Sequence, residues 1–426
     1  MLQKNSFPRS VSLKNLQVIY MALVTFLTYA SVYAYRKPYT VATFEGLNFL
    51  GVPYQTLLII SQGLGYMGSK FYGIKFISEL KRLGRWKTSV TLLGLAWLSL
   101  LLFAVIPAPW GMLCLFCNGF VLGFMWGIVF SYVEGRKATD FIGAAMAVSF
   151  IFAGGFTRSV AVYMRDTFHI TDQWIGFITG AVFVIPLLGL LYLLEKIPPP
   201  DHEDISDRSI RLPMTKTQRS FLLKQFGFGL VLITISYVFL TVMRDVRDNF
   251  MSNMWNELGY GKKPALFTQT ETITSLVVLI VMSLLVLVRN NFLAFKLIHG
   301  VVVAGFVIAG GSSILFGMGY ISGAAWMQWV GLGLYMGYIP FNCIFFERLI
   351  ASYKIIGNVG FLIYLADAFG YMGSMTVMIS KELLSFQINW VDFYRNIVMV
   401  FSVIGVVGII FSYRYFNQKY LQKNIL

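Results

Sequence analysis

Two arginines, Arg36 and Arg244, each stand in an otherwise apolar stretch, about twenty residues after that stretch begins. Their contexts are Tyr33-Ala34-Tyr35-Arg36-Lys37 and Thr241-Val242-Met243-Arg244-Asp245. A guanidinium is a fixed cation with a planar fork of donors that suits phosphate and carboxylate. Inside an apolar segment of membrane length it is costly, so it reads by default as functional. About 208 positions separate the two, close to half the chain. Two related halves about one axis would bring both to equivalent places on one central cavity, and the pair is therefore read as an anion site. The alternative for either one alone is snorkelling, because ~20 helical residues span ~30 Å and reach the headgroups.

Further candidates cluster around these two. Lys70 lies ~15 residues, or ~22 Å, into its segment, past the midplane and open to either a site role or snorkelling. Arg158, close to the outer end of another segment, is equally open. Asp367 lies ~10 residues, or ~15 Å, into its segment, where a carboxylate must be paired or protonated. It is a structural partner for a cation such as Lys70, or a proton-coupling group, and Glu271 is a weaker version of the same case. Tyr33, Tyr35, Tyr39, Gln62, Tyr66 and Tyr237 are placed to add hydrogen bonds. Asp245, Arg247 and Asp248 read as a solvated rim, with Asp248 at helical spacing for a pair with Arg244. His299 reads as a packing residue. No nucleophile–base grouping, phosphate-binding loop or metal-ligand spacing is present, so neither an enzyme nor a cofactor is expected.

The elements that must carry these residues are membrane helices. The 426 residues have a mean hydropathy of +0.70, with 57% hydrophobic and 12% charged residues. About twelve apolar segments can be counted: 16–36, 54–76, 88–106, 111–133, 141–163, 174–194, 221–244, 267–288, 292–315, 324–346, 356–379 and 392–413. Lengths near twenty residues favour helices crossing ~30 Å of hydrocarbon over barrel strands. The thirty-nine glycines suit close helix approach. The net charge of +15 lies mostly in alternate short loops rather than in a stripe. It therefore signals topology and contact with anionic lipid headgroups, not nucleic-acid binding. Lys75, Lys81, Arg82, Arg85 and Lys87, the 195–220 linker and the chain ends are basic, which puts both termini in the cytoplasm. Arg36 and Arg244 break that rule on the other side. Cys114, Cys117 and Cys343 lie in apolar segments and read as buried free thiols. The acidic run Asp201-His202-Glu203-Asp204 reads as solvated linker, with metal binding as the alternative. Residues 1–194 and 221–426 form two six-helix halves joined by 195–220, and a monomer in the cytoplasmic (inner) membrane is expected.

The halves echo one another. Glu134-Gly135-Arg136 and Glu347-Arg348 precede the fifth and eleventh segments, and Ala138-Thr139 then Gly143 is matched by Ala351-Ser352 then Gly357. Six plus six segments in parallel repeat is the plan of the major facilitator superfamily, with substrate between the halves. Gly73…Glu79…Arg82-Leu83-Gly84-Arg85-Trp86-Lys87 resembles that superfamily's second-loop motif. The resemblance implies a cytoplasmic charge clamp from Glu79, Arg82, Arg85, Glu134, Arg136, Glu347 and Arg348. Tyr35-Arg36-Lys37, Ser69-Lys70-Phe71 and Tyr237–Arg244 resemble segments of the organophosphate:phosphate antiporters, as does Phe369-Gly370-Tyr371-Met372-Gly373. This resemblance implies Arg36 and Arg244 as a phosphate clamp and Lys70 as an auxiliary cation. Ile151 stands where that family has a histidine, ahead of Gly154-Gly155. The function expected is a secondary transporter of a small organic anion, a phosphorylated metabolite exchanged for phosphate by alternating access. Alternatives are a proton-coupled sugar-acid symporter using Asp367 and a transporter-like receptor for an anionic metabolite.

Overall fold

The computed structural model describes residues 7–78, 82–134, 136, 138–200, 216–353, 359–383 and 389–423. Glu79 and the acidic run 201–204 lie outside the described residues, and for Arg82 the backbone alone is described.

In hydrocarbon every backbone N–H and C=O must be paired within its own segment, so long apolar runs become helices. The first half comprises α1 (Phe7–Val32), α2 (Tyr54–Ser78), α3 (Arg82–Val105), α4 (Gly111–Leu122), α5 (Met125–Phe130), α6 (Thr139–Phe168) and α7 (Ile175–Glu195). The second comprises α8 (Lys216–Asn249), α9 (Met251–Glu257), α10 (Ala265–Val286), α11 (Asn291–Gly317), α12 (Gly323–Cys343), α13 (Phe345–Tyr353), α14 (Val359–Leu383) and α15 (Trp390–Lys423). Among the described residues nine helices are long and apolar enough to cross a membrane, and α12 with α13 makes a tenth span bent by 49°. Helices α2 and α14, 25 residues each, complete a set that fits twelve. They carry polar residues within the span: Gln55, Gln62, Ser69 and Lys70 in α2, and Asp367, Ser374 and Lys381 in α14.

Packing in one half parallels packing in the other. Helix α1 packs on α6 and α7, as α8 packs on α14 and α15; α2 packs on α4, as α10 packs on α12. Helix α3 packs on α4 and α7, as α11 packs on α12 and α15. The fourth span of each half is broken. The first breaks at Gly123-Phe124, and the second bends at Ile344, four residues beyond Pro340, which lacks a backbone donor. Both had read as continuous in sequence, since hydropathy does not register such breaks. The halves meet along two seams, α6 against α10 and α2 against α14. Outward faces are apolar: Ile273, Leu276, Ile280 and Leu284 of α10 are all exposed at helical spacing, and Leu287 just beyond it continues the stripe. Lipid is the solvent such a stripe suits.

Glycine sets the α2–α4 contact. A Cβ on Gly119 would lie 2.0 Å from the Gln62 carbonyl oxygen, and one on Gly65 would lie 2.0 Å from that of Phe116. The backbones can touch only because both residues lack a side chain. That contact sets the face of α2 that carries Gln62, Tyr66 and Lys70. The three cysteines are free; Cys114 is buried, but Cys117 is exposed on the outward face of α4 and Cys343 is half-buried, which corrects the uniform burial expected.

Candidate functional site

A cavity of about 230 Å³ lies between the halves. It reaches from Arg36 and Arg244 to Thr139, Asp140 and Glu347 near the face on which α1 begins and α15 ends. Its walls are strongly aromatic, with Tyr29, Tyr33, Tyr66, Trp126, Tyr338 and Tyr371 among them. Three cations (Arg36, Lys70, Arg244) and five carboxylates (Asp140, Asp245, Asp248, Glu347, Asp367) line it.

Arg36 sits where α1 gives way to a tight turn at Tyr33–Tyr35, ahead of a second turn at Pro38–Val41. The Gln62 amide donates to the Arg36 carbonyl (3.1 Å) and to Asn118 Oδ1 (2.8 Å), and Asn118 donates to the Tyr35 carbonyl (3.1 Å). These amides fix the backbone that carries the arginine. The guanidinium lies 4.1 Å from the Tyr66 ring centre and 5.6 Å from that of Tyr33, a cation–π arrangement. Among the described residues no carboxylate pairs with it, and its Nε is buried without a partner.

Arg244 is held differently. Its Nη1 donates to the Tyr338 hydroxyl, and its guanidinium lies 4.5 Å from the Tyr338 ring centre and 5.5 Å from that of Tyr371. Tyr371 in turn lies 5.8 Å from Tyr66. A continuous aromatic bridge thus runs from one arginine to the other across the two halves. Nε and Nη2 of Arg244 both donate to Asp245 Oδ1, at 2.9 and 2.6 Å.

Lys70 and Asp367 line the same cavity, Lys70 with its Nζ 4.8 Å from the Tyr66 ring centre. Asp367 accepts a hydrogen bond from Tyr237, whose ring stacks on Tyr338. Tyr237, Tyr35, Gln62 and Arg158 stand behind the lining rather than in it. Tyr237 is committed to Asp367, Gln62 to the backbone, and Tyr35 is packed near Gly180 of α7.

Arg158 is fully buried in a cluster that joins the halves on the face opposite the termini. It donates to Gly154 O, Thr40 Oγ1 and the backbone and side chain of Asp248. Lys37 completes the cluster, 2.5 Å from Asp248 Oδ2 and 2.8 Å from Asn249 Oδ1. Gln55 and Asn253 exchange amide bonds beside it (3.2 and 3.1 Å), and Ser159 donates to Pro264 O while accepting from Thr268. This face is closed. The expected solvated rim is therefore corrected: Asp245 and Arg247 are buried, and Asp248 pairs with Lys37 and Arg158 rather than Arg244. Helical spacing placed Asp248 on the right face of α8, but its partners come from the other half, which no local pattern reports. Lys37 was missed as a member for the same reason.

Glu271 pairs with Arg247 at 2.6 Å, both side chains fully buried. Arg247 also donates to Met327 O. The pair lies under the α6–α10 seam, where a Cβ on Gly155 would meet Glu271 Cγ at 2.7 Å and Phe267 O at 2.3 Å. His299 is packed against Phe295 and Phe345 with Nδ1 on Phe295 O. Of the expected clamp, Arg85 donates to Ser131 O, Arg136 to Pro198 O of the linker, and Arg348 to Asn291 Oδ1 and Val286 O. Glu347 lines the cavity, and Glu134 lies on the turn after α5.

The sequence pattern of a family described as a family of unknown function (DUF5690) matches residues 38–419. None of the curated proteins compared with the chain matches it. Solved structures match over nearly the whole length. They include a nucleoside transporter, NupG (16% identity, TM-score 0.59, 94% of this chain and 99% of that one). A D-xylose–proton symporter matches at 13% identity with TM-score 0.63, over 93% and 96% of the two chains. The human organic anion transporter TETRAN matches at 10% identity with TM-score 0.55, over 93% and 98%. The shared architecture is the all-α major facilitator fold, that of an integral multi-pass membrane protein.

Proposed function

The chain belongs to DUF5690, a family of unknown function, and with the major facilitator fold closed around a cation-bearing cavity we propose that it is a secondary transporter of a small organic anion. One observation carries the reading: Arg36 faces the cavity between the halves with no carboxylate in ion-pair contact with it among the described residues. A buried guanidinium with no carboxylate in direct contact is costly, and an anion entering the cavity relieves that cost. Arg244 approaches from the other half, so an anion held by both arginines would draw the halves together. That is the geometry alternating access requires. The cavity extends toward the face of the termini while the opposite face is tied by the Lys37–Asp248–Arg158 cluster, which suits one end state of such a cycle.

In its specific form the substrate is a phosphorylated metabolite exchanged for phosphate, with Lys70 as a third cation, in the cytoplasmic (inner) membrane. A cavity of about 230 Å³ is smaller than the ~300–1,000 Å³ of drug-sized sites and suits a compact metabolite. The test is counterflow of labelled phosphate into phosphate-loaded proteoliposomes, with glycerol 3-phosphate and gluconate as competitors. Saturable phosphate exchange that glycerol 3-phosphate inhibits supports this form; folded protein with no phosphate exchange refutes it.

A second reading, proton-coupled uptake of a carboxylate, is favoured by Asp367, a carboxylate in the same cavity as the arginines. Asp367→Asn should then abolish gradient-driven gluconate uptake and spare exchange. Unchanged uptake rejects that reading.

A further inference from the structure

Asp245 and Arg244 are neighbours on α8, and neighbouring helical residues diverge by ~100° rather than facing each other. Their contact is made by the arginine folding sideways. It is also poorly formed. Both donors, Nε and Nη2, converge on Oδ1, whereas a well-made guanidinium–carboxylate pair uses two parallel bonds to two oxygens. Oδ2 is buried with no partner. The residue is 8% exposed and lines the cavity. A buried, half-satisfied carboxylate oxygen needs an explanation beyond packing.

Arg244 does not depend on this contact for its position. Tyr338 accepts from Nη1, and the rings of Tyr338 and Tyr371 flank the guanidinium. Asp245 instead occupies the edge of the fork that an incoming oxyanion would use. Resting on the anion-site reading above, we propose that Asp245 is a built-in counter-anion that the substrate displaces from Arg244. The site then selects a group with two or more oxygens on one centre, a carboxylate, phosphoryl or sulfonate. Such a group supplies both parallel bonds where Asp245 supplies one oxygen. Arg36, which has no carboxylate in ion-pair contact among the described residues, is free to engage the ligand before Arg244, which joins only when Asp245 yields. The displaced carboxylate stays in the cavity and turns to its water. Binding at Arg36 and release of Asp245 are thereby linked, and the two halves are engaged in sequence rather than at once.

The experiment is equilibrium binding of labelled inorganic phosphate and of labelled gluconate to the full chain in detergent, for wild type, Asp245→Asn and Asp245→Ala. Asparagine keeps the shape and removes the competing charge; alanine serves if asparagine does not fold. Asp392→Asn removes a charge outside the cavity, in the first turn of α15, and controls for net charge. The expected result is binding about tenfold tighter in the Asp245 variants, the order of one charge-assisted hydrogen bond, and a change within about twofold in Asp392→Asn. Tighter binding in the Asp245 variants with no detectable binding by wild type also supports displacement. Equal or weaker binding in the Asp245 variants while wild type binds overturns it and leaves the anion reading standing. Absence of binding of both probes by all folded variants overturns the anion reading and the displacement with it.

Discussion

Replacing Asp248 by asparagine should open the face opposite the termini. Asp248 is the one carboxylate among the described residues that bridges Lys37 and Arg158, and those two cations are 3% and 0% exposed at the side chain. Removing one partner of a buried ion pair typically costs ~3–5 kcal/mol. Here the lower figure applies. Asp248 is itself 16% exposed, Lys37 keeps Asn249, and Arg158 keeps Thr40 and Gly154. A cost of ~3 kcal/mol borne only by the closed face raises the ratio of open to closed molecules by roughly a hundredfold. Thr56 reports on this. It is 1% exposed and donates across the halves to Glu382 (3.4 Å), and cysteine is close to it in size. In a background with the three native cysteines replaced by serine, maleimide labelling of Thr56→Cys should accelerate by about that factor in Asp248→Asn. Labelling tracks the open population when opening and closing outpace the reaction. Unchanged labelling in a variant that melts cooperatively would refute the reasoning. It would mean the amide and hydroxyl bonds beside the cluster close this face on their own.

Two further outcomes are expected. Glu271→Gln should lower thermal stability by ~3–5 kcal/mol because it leaves fully buried Arg247 uncompensated, and Arg247→Met in the same chain should restore much of the loss; a melting series in detergent checks both. Gly119→Ala should cost ~1–3 kcal/mol by forcing α4 off α2, and should weaken anion binding as well, because Gln62 on that contact fixes the Arg36 backbone; melting and phosphate binding read the two effects.

The fold was legible in the sequence because hydrocarbon imposes a rule that composition alone reports: long apolar runs, basic alternate loops, and a halfway repeat. The arginine positions were legible for the same reason, as charges that the topology did not require. What stayed hidden depends on partners from the opposite half. Lys37, Arg158 and Asp248 meet from the turns after α1, from α6 and from α8 respectively, and nothing in their spacing records the meeting. Asp245 and Arg247 looked solvated because they follow a span's expected end, yet α8 runs on to Asn249 and buries both. Gln62 and Tyr35 were counted as ligand groups from their nearness to the cations. A difference of one helical position decides whether such a side chain faces a cavity or the helix behind it, and segment ends read from hydropathy are not that sharp.

The central claim is that Arg36 anchors a transported anion. Exchange of labelled phosphate and labelled gluconate by proteoliposomes of wild type and Arg36→Ala tests it most directly. The account predicts saturable exchange of at least one of them by wild type and a loss of about a hundredfold in Arg36→Ala, on the order of ~3 kcal/mol for a buried charge-assisted contact. Equal exchange by both proteins would contradict it.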